Sequence, residues 1–422
     1  MENFYYTCIY EILRRAAPDG NTLPALNRLK AKLVRLQSVR LQKILLDNDD
    51  ADRLEGETPT LYNVLQMKRR RNERTTTGLL DEDGRWQTTP RGMAQILITR
   101  FRERYDKIEV DNVSIKRMTA HIKRAQTTRS SDEMGGPFED DEIWRAIRAG
   151  GKGRAPGNDG LTREFYARTW TIIREDLRDV LNEMFWEGNI TTAQKHGVII
   201  CIPKGQGGNT PHDYRPITLL NTDYKILARM VALRLQPVIQ DHLSGTQFCG
   251  VPGSSIMDAT AAIRDTIAYA ENKGQPLCVL SLDFTCAFDR IAHDYLFQVL
   301  QSYGINDEFR KGIEHMYHGA TSSVQINGQL YGTIPIRSAV RQGCPMSMAL
   351  YTLCLHPLLQ YLDQQLTGVK IGRSARRTAV VAYADDVTLF ISAVTEFAIV
   401  EEALLLYEKA SGRALTPENP KR

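Results

Sequence analysis

Two acidic residues stand side by side between two apolar runs late in the chain: Val380 to Ala382 precede Tyr383-Ala384-Asp385-Asp386, and Val387 to Ile391 follow. Short apolar, β-branched runs on either side of a turn predict a strand pair, so the two carboxylates belong at the tip of an apolar hairpin. Asp is common in turns, and most such pairs bind nothing. The weight of this pair therefore depends on what accompanies it.

Other strands are legible nearby. Val324 to Ile326 and Gln329 to Tyr331 flank Asn327-Gly328, a dipeptide suited to a type I′ hairpin because both central residues take positive φ. Val198 to Ile202, Leu277 to Leu282 and Ala379 to Ala382 also read as strands, interleaved with helical segments. Helices alternating with short strands imply a mixed α+β fold. At 422 residues the chain is too long for one ordinary core and predicts two or three domains or subdomains.

The composition, 42% hydrophobic and 25% charged, suits a globular protein. With no apolar run near the roughly 18 residues of a membrane span, no membrane segment is expected. MENFYYTCIYEILRR lacks the basic start and cleavage site of a secretory signal, so the expected location is intracellular, in nucleus or cytoplasm. The seven cysteines, Cys8, Cys201, Cys249, Cys278, Cys286, Cys344 and Cys354, are scattered without a C-x-x-C pair, which argues against a zinc site or a disulfide framework.

The net charge of +4 is mild, but its distribution is uneven. Residues 21–46 carry Arg28, Lys30, Lys32, Arg35, Arg40 and Lys43 with no acid, and Leu26, Leu29, Leu33 and Leu36 recur at helical spacing. A second basic cluster runs from Lys68 to Arg71. These features make residues 1–129 a basic helical extension, suited to phosphate contact or simply to solvation. Ser130 to Asp141 (SSDEMGGPFEDD) reads as an acidic linker, 130–140, that ends in a negatively charged helix start before Ile143.

Phosphoryl transfer from a nucleoside triphosphate uses two divalent ions roughly 4 Å apart, one activating the attacking hydroxyl and one neutralising the pyrophosphate. Mg²⁺ takes oxygen ligands. Asp385 and Asp386 could supply two from a turn, and Asp283, ending the run Leu277 to Leu282, could supply a third from a neighbouring strand, with the Phe284 carbonyl also in reach.

The order and content of the blocks around these residues resemble the reverse transcriptase of LINE-type (non-LTR) retrotransposons. Lys152 to Leu161 (KGRAPGNDGL) is similar to the family's first block. Ile202-Pro203-Lys204 with Asp213 to Asn221 (DYRPITLLN) is similar to its finger blocks, and Gln247 to Asp258 (QFCGVPGSSIMD) to the next. Ser281 to Arg290 (SLDFTCAFDR), Arg341 to Leu350 (RQGCPMSMAL) and Tyr383 to Asp386 (YADD) complete the series in the family's order. The likeness covers Lys152 to Arg422, 271 of 422 residues.

The resemblance implies an RNA-directed DNA polymerase whose metal-binding residues are Asp283, Asp385 and Asp386 with the Phe284 carbonyl. Its cofactor would be two Mg²⁺ ions, with Mn²⁺ as a substitute. It implies that Lys204 and Arg215 hold the triphosphate, that Gln342 and Gly343 lie over the incoming nucleotide with Pro345 beginning the next helix, and that Phe288 excludes a 2′-hydroxyl. Asp289 is expected to be structural, and Cys344 to pack. The partners would be an RNA template, a DNA primer and deoxynucleoside triphosphates. The implied fold is a right hand, with fingers over 141–274 and a palm over 275–422. The palm would be a small antiparallel sheet carrying the three aspartates, with helices on one face. No thumb is expected within these residues, and the chain is expected to be cut from a longer retroelement protein.

Some positions depart from the family. Thr285 and Cys286 stand where a basic residue is frequent, and Ser254 where arginine is common. In the final block, Ala410 to Arg422, Thr416 replaces the usual asparagine and Asn419 the usual lysine, with Lys421 two places later. The competing expectation is therefore a catalytically silent retroelement remnant that binds nucleic acid. An RNA-virus or group II intron polymerase fits the YRPI and QGCP blocks less well.

Overall fold

A computed structural model describes residues 76–122, 134–204, 209–284, 287–372 and 377–412. The basic helix expected within 21–46, the cluster at Lys68 and the block after Gly412 lie outside the described residues. In chain order the elements begin with strands β1 (Leu79–Leu80) and β2 (Trp86–Gln87) and helices α1 (Pro90–Tyr105), α2 (Asn112–Thr119), α3 (Asp140–Arg148) and α4 (Arg163–Asn182). Strands β3 (His196–Pro203) and β4 (Tyr214–Leu219), helices α5 (Thr222–Leu243) and α6 (Ile256–Lys273), and strand β5 (Cys278–Leu282) follow. Then come α7 (His293–Ser302), α8 (Asp307–Tyr317), β6 (Thr321–Ile326), β7 (Gln329–Pro335) and α9 (Ser347–Gln365). Last are β8 (Val369–Lys370), β9 (Arg377–Thr378), β10 (Val380–Tyr383), β11 (Asp386–Ile391) and α10 (Glu396–Ser411). Every strand read from the sequence is present, within one to four residues at its ends.

One sheet runs β4-β3-β6-β7, with β3 and β6 parallel and the other pairs antiparallel. Asn327 and Gly328 close the β6–β7 hairpin at φ 50° and 85°, the positive values that the Asn-Gly turn requires. Helix α1 covers this sheet. Thr89 caps it by accepting the Gly92 N–H, Pro90 suits its first turn, and Met93, Leu97, Phe101 and Tyr105 recur every fourth residue on its buried face. Those side chains pack with Ile199, Val324, Ile326 and Ile334 in a core of their own.

The second sheet, β10-β11-β5, is antiparallel throughout. Val380, Ala382, Val387, Leu389 and Ile391 face the main core, to which α5 and α9 contribute the largest groups of buried side chains, with α7 and α8 beside them. The alternate residues Val381 and Phe390 face Ala259 and Ala270 of α6. Helices thus cover both faces, not one as expected from the sequence. The cause is visible in the strands: Val380-Val381-Ala382 and Leu389-Phe390-Ile391 are apolar without alternation, and such runs need cover on both sides.

Contacts gather Thr76–Arg422 into one compact unit. Helix α1 sits on β6 and β7, and α2 packs against α10. The end of the expected linker is packed as well: Met134 and Phe138 are buried, and the Arg234 guanidinium donates to the carbonyls of Met134, Gly136 and Pro137 at 2.8–3.0 Å. A planar fork of donors can satisfy several carbonyls at once, which holds in place a glycine- and proline-bearing segment that composition alone marks as open. The acidic helix start is as expected, with Asp140, Asp141 and Glu142 in the first turn of α3. Among the described residues, no helix is long and apolar enough to cross a membrane.

Candidate active site

The two aspartate-bearing segments are neighbours through backbone pairing. Strand β11 runs antiparallel to β5 with Val387 opposite Leu282, which puts Asp283 at the strand end beside the hairpin tip. Within the hairpin, Tyr383 pairs with Asp386, leaving Ala384 and Asp385 as a two-residue turn. Ala384 has φ 55°, a left-handed conformation that costs a residue with a Cβ about 1–2 kcal/mol.

A side chain from another segment holds that turn. Gln247 is fully buried, accepts the N–H groups of Ala384 (2.9 Å) and Cys249 (3.0 Å) through Oε1, and donates Nε2 to the Ala384 carbonyl (3.2 Å). The backbone flanking it adds two more bonds, Ala382 N–H to the Thr246 carbonyl and Phe248 N–H to the Ala382 carbonyl. Gln247 opens the block QFCGVPGSSIMD, where it has no role assigned by the motif resemblance. Nothing in its local pattern points to a hairpin 137 residues away.

A cavity of about 720 Å³ opens beside the tip. Asp283, Phe284 and Asp385 line it together with Lys204, Arg215, Phe288, Gln342 and Gly343. Asp386 is exposed and outside this lining. Asp385 belongs to the turn and Asp386 opens β11, so the two neighbouring carboxylates leave backbone of different conformation. Among the described residues, no group of three or more His, Cys, Asp or Glu stands close enough to hold an ion. The oxygen donors that face the cavity, two carboxylates with Phe284 beside them, suit a hard cation such as Mg²⁺ and not a thiophilic one.

The same cavity carries cations. Ile202 pairs with Arg215 and Pro203 with Tyr214 at the end of the β3–β4 pair, and the Lys204 N–H donates to the Asp213 carbonyl at 2.7 Å. Lys204 and Arg215 thereby sit side by side, both exposed. Gln342 and Gly343 cross above β4, with the Thr218 N–H donating to the Gln342 carbonyl at 2.8 Å. Gly343 has φ 106°, and a Cβ there would lie 2.4 Å from the Thr218 carbonyl oxygen, so only glycine permits this approach. Helix α9 begins at Ser347 after Met346, two residues later than Pro345 suggested. A turn from Cys344 to Ser347 occupies the intervening residues.

Phe288 stacks on Tyr351 with centroids 4.5 Å apart and fixes its backbone through the Val340 N–H, which donates to its carbonyl at 2.8 Å. Asp289 beside it is almost wholly buried, and burial pushes its carboxyl up to about 6 against the opposing pull of Arg104. It receives Arg104 Nη1 at 3.4 Å, Gln342 Nε2 at 3.1 Å and the Tyr105 hydroxyl at 3.5 Å. Asp289, expected to be structural, pairs here with Arg104. Arg104 also lines the cavity but lies upstream of the motif blocks, so no local signature marks it. Cys344 is buried, and burial raises its thiol above the ordinary range, consistent with packing.

Carboxylates and cations lining one nucleotide-sized cavity are the donor set of a nucleotidyltransferase. The chain belongs to the reverse transcriptase (RNA-dependent DNA polymerase) family, whose pattern matches residues 202–414, just over half of its length. It is 35% identical over 283 residues to the Transposon TX1 uncharacterized 149 kDa protein of Xenopus laevis, covering 67% of this chain and 22% of that protein. It is 29% identical over 255 residues to a Retrovirus-related Pol polyprotein from type-1 retrotransposable element R2 of Popillia japonica, covering 60% of this chain and 34% of that one. Similarity to the Probable RNA-directed DNA polymerase from transposon X-element of Drosophila melanogaster is 24% over 375 residues, 86% of this chain and 38% of that protein. The chain thus spans between about a fifth and two fifths of these relatives, and the LINE-type resemblance read from its motifs is borne out.

Proposed function

We propose that this chain is the polymerase portion of a LINE-type retrotransposon protein and extends a DNA primer along an RNA template with deoxynucleotides, in the nucleus or cytoplasm. The observation that carries the reading is the single cavity shared by Asp283 and Asp385 with Lys204, Arg215, Phe288, Gln342 and Gly343. In right-hand terms, the β4-β3-β6-β7 sheet and its helices serve as fingers, and the β10-β11-β5 sheet as the palm.

Asp283, the Phe284 carbonyl and Asp385, with Asp386 from the adjoining position, would hold two Mg²⁺ ions, which Mn²⁺ could replace. When bound, these ions activate the primer hydroxyl and neutralise the departing pyrophosphate. Lys204 and Arg215 neutralise and orient the triphosphate, a service that needs charge and fixed donors. Gly343 lets the backbone close over the nucleotide, and the Phe288 ring, braced by Tyr351, leaves no room for a 2′-hydroxyl beneath the sugar.

The test is primer extension on poly(rA)–oligo(dT) with Mg²⁺ and dTTP, comparing the chain with an Asp385→Ala, Asp386→Ala double variant. Extension lost in the variant supports the reading. The altered final block, with Thr416 and Asn419 at the positions of the family's usual asparagine and lysine, motivates a second one, a silent nucleic-acid-binding remnant, and tight RNA binding with no extension by either protein would select it. We further propose residues 1–75 as an RNA- or template-binding extension. Deletion should end at Thr75, because removing residues through 110 would also strip α1 from the sheet it covers. Unchanged RNA affinity after that deletion would contradict the proposal.

A further inference from the structure

Helix α1 ends on two residues, Arg104 and Tyr105, that precede the family match at residue 202 by about a hundred positions. Both reach Asp289, 185 and 184 residues downstream, and Gln342 reaches the same carboxylate from the loop over the cavity. A buried ion pair is a weak source of stability, because desolvating two charges offsets most of their attraction. This one is not sealed in the core. Its arginine stands on the wall of the same cavity as Lys204 and Arg215.

A guanidinium is a planar fork with five N–H donors, so a carboxylate can hold one edge while another edge meets phosphate oxygens. Asp289 would then fix two cavity-wall groups at once, the Arg104 fork and the Gln342 amide. Tyr105, buried beside it and donating its hydroxyl, meets part of the remaining demand of the carboxylate without adding charge. We infer that Arg104, supplied from upstream of the family region, is a third cation contacting the triphosphate of the incoming nucleotide, and that Asp289 is a positioning residue holding Arg104 and Gln342 in the cavity wall. This rests on the polymerase reading above. It makes α1 part of the active site and not only a support for the sheet.

The experiment uses the full chain on a poly(rA) template with an oligo(dT) primer ended in a dideoxynucleotide, so that dTTP binds without reacting. Equilibrium binding of dTTP with Mg²⁺, and its displacement by inorganic tripolyphosphate, are measured for the natural chain, Arg104→Ala and Arg104→Lys. Loss of one charge-assisted contact predicts about tenfold weaker binding of both dTTP and tripolyphosphate in Arg104→Ala, with Arg104→Lys intermediate. Asp289→Asn should shift both in the same direction. A purely structural ion pair would leave tripolyphosphate displacement unchanged in any variant that folds. Binding of both ligands within about twofold of the natural chain in Arg104→Lys, which keeps the charge and is the variant that decides if Arg104→Ala does not fold, together with unchanged binding in any folded Arg104→Ala, would overturn the inference. If the natural chain extends an unblocked primer while these variants bind normally, only the inference fails. If it neither extends nor binds dTTP, the polymerase reading and the inference fail together.

Discussion

Replacing Gln247 by alanine removes an amide that makes three hydrogen bonds to backbone groups in a site closed to water. Two N–H groups and one carbonyl lose their partner, and each buried polar group left unsatisfied costs about 1–3 kcal/mol. Part of that loss is recovered if the tip relaxes, because Ala384 would leave a conformation that costs about 1–2 kcal/mol. The net expectation is a loss of about 3 kcal/mol in stability, measured by urea unfolding, together with a hairpin tip that no longer presents Asp385 reproducibly. Glycine occupies positive φ without that penalty, so Ala384→Gly alone should stay within about 1 kcal/mol of the natural chain. In the Gln247→Ala background the same change should restore the native tip by about 5- to 30-fold, the population equivalent of 1–2 kcal/mol, read as recovered primer extension. A Gln247→Ala chain that loses less than about 1 kcal/mol and extends primers normally would refute the clamp. So would a double variant with no recovery, since residues sharing one strained turn should not act additively.

Gly343→Ala forces a Cβ to 2.4 Å from the Thr218 carbonyl. The loop must shift, and kcat for extension should drop by about a hundredfold while overall stability falls by about 2–3 kcal/mol, measurable by single-turnover kinetics and urea unfolding. Phe288→Ala should raise incorporation of UTP relative to dTTP by about 100-fold, seen by comparing the two in the same extension assay; an unchanged ratio would exclude Phe288 as the sugar gate. His356 is buried against the Tyr303 hydroxyl at 2.6 Å, and burial lowers it to about 3. Because the unfolded chain binds this proton near the ordinary value and the folded one does not, stability contributed by neutral His356 is present above about pH 6.5. It is lost as pH falls toward 3, at about 1.4 kcal/mol per pH unit. His356→Gln should flatten that part of the unfolding profile, and an unaltered slope would contradict the assignment.

Much of the site was legible because its residues carry local signatures. Asp385 and Asp386 announced themselves between two apolar runs, Asp283 by ending a third, and Gly343 within a block whose order with the others few unrelated chains would share. The β6–β7 turn followed from Asn327-Gly328 alone, since its backbone demand is met by two adjacent residues.

What the chain alone left undecided depends on contacts between distant segments. Gln247 and Ala384 meet across 137 positions and Arg104 and Asp289 across 185, and no local period or turn preference encodes such a meeting. The cover of α6 on the second face of the β10-β11-β5 sheet, and the burial of Phe138 in a segment with linker composition, likewise emerge only when whole surfaces are matched. Even the adjacent carboxylates divide this way. Their presence is a property of the sequence, but Asp385 facing the cavity while Asp386 does not is set by the turn that Gln247 holds, because a side chain's direction follows from its backbone and the backbone here is fixed from outside.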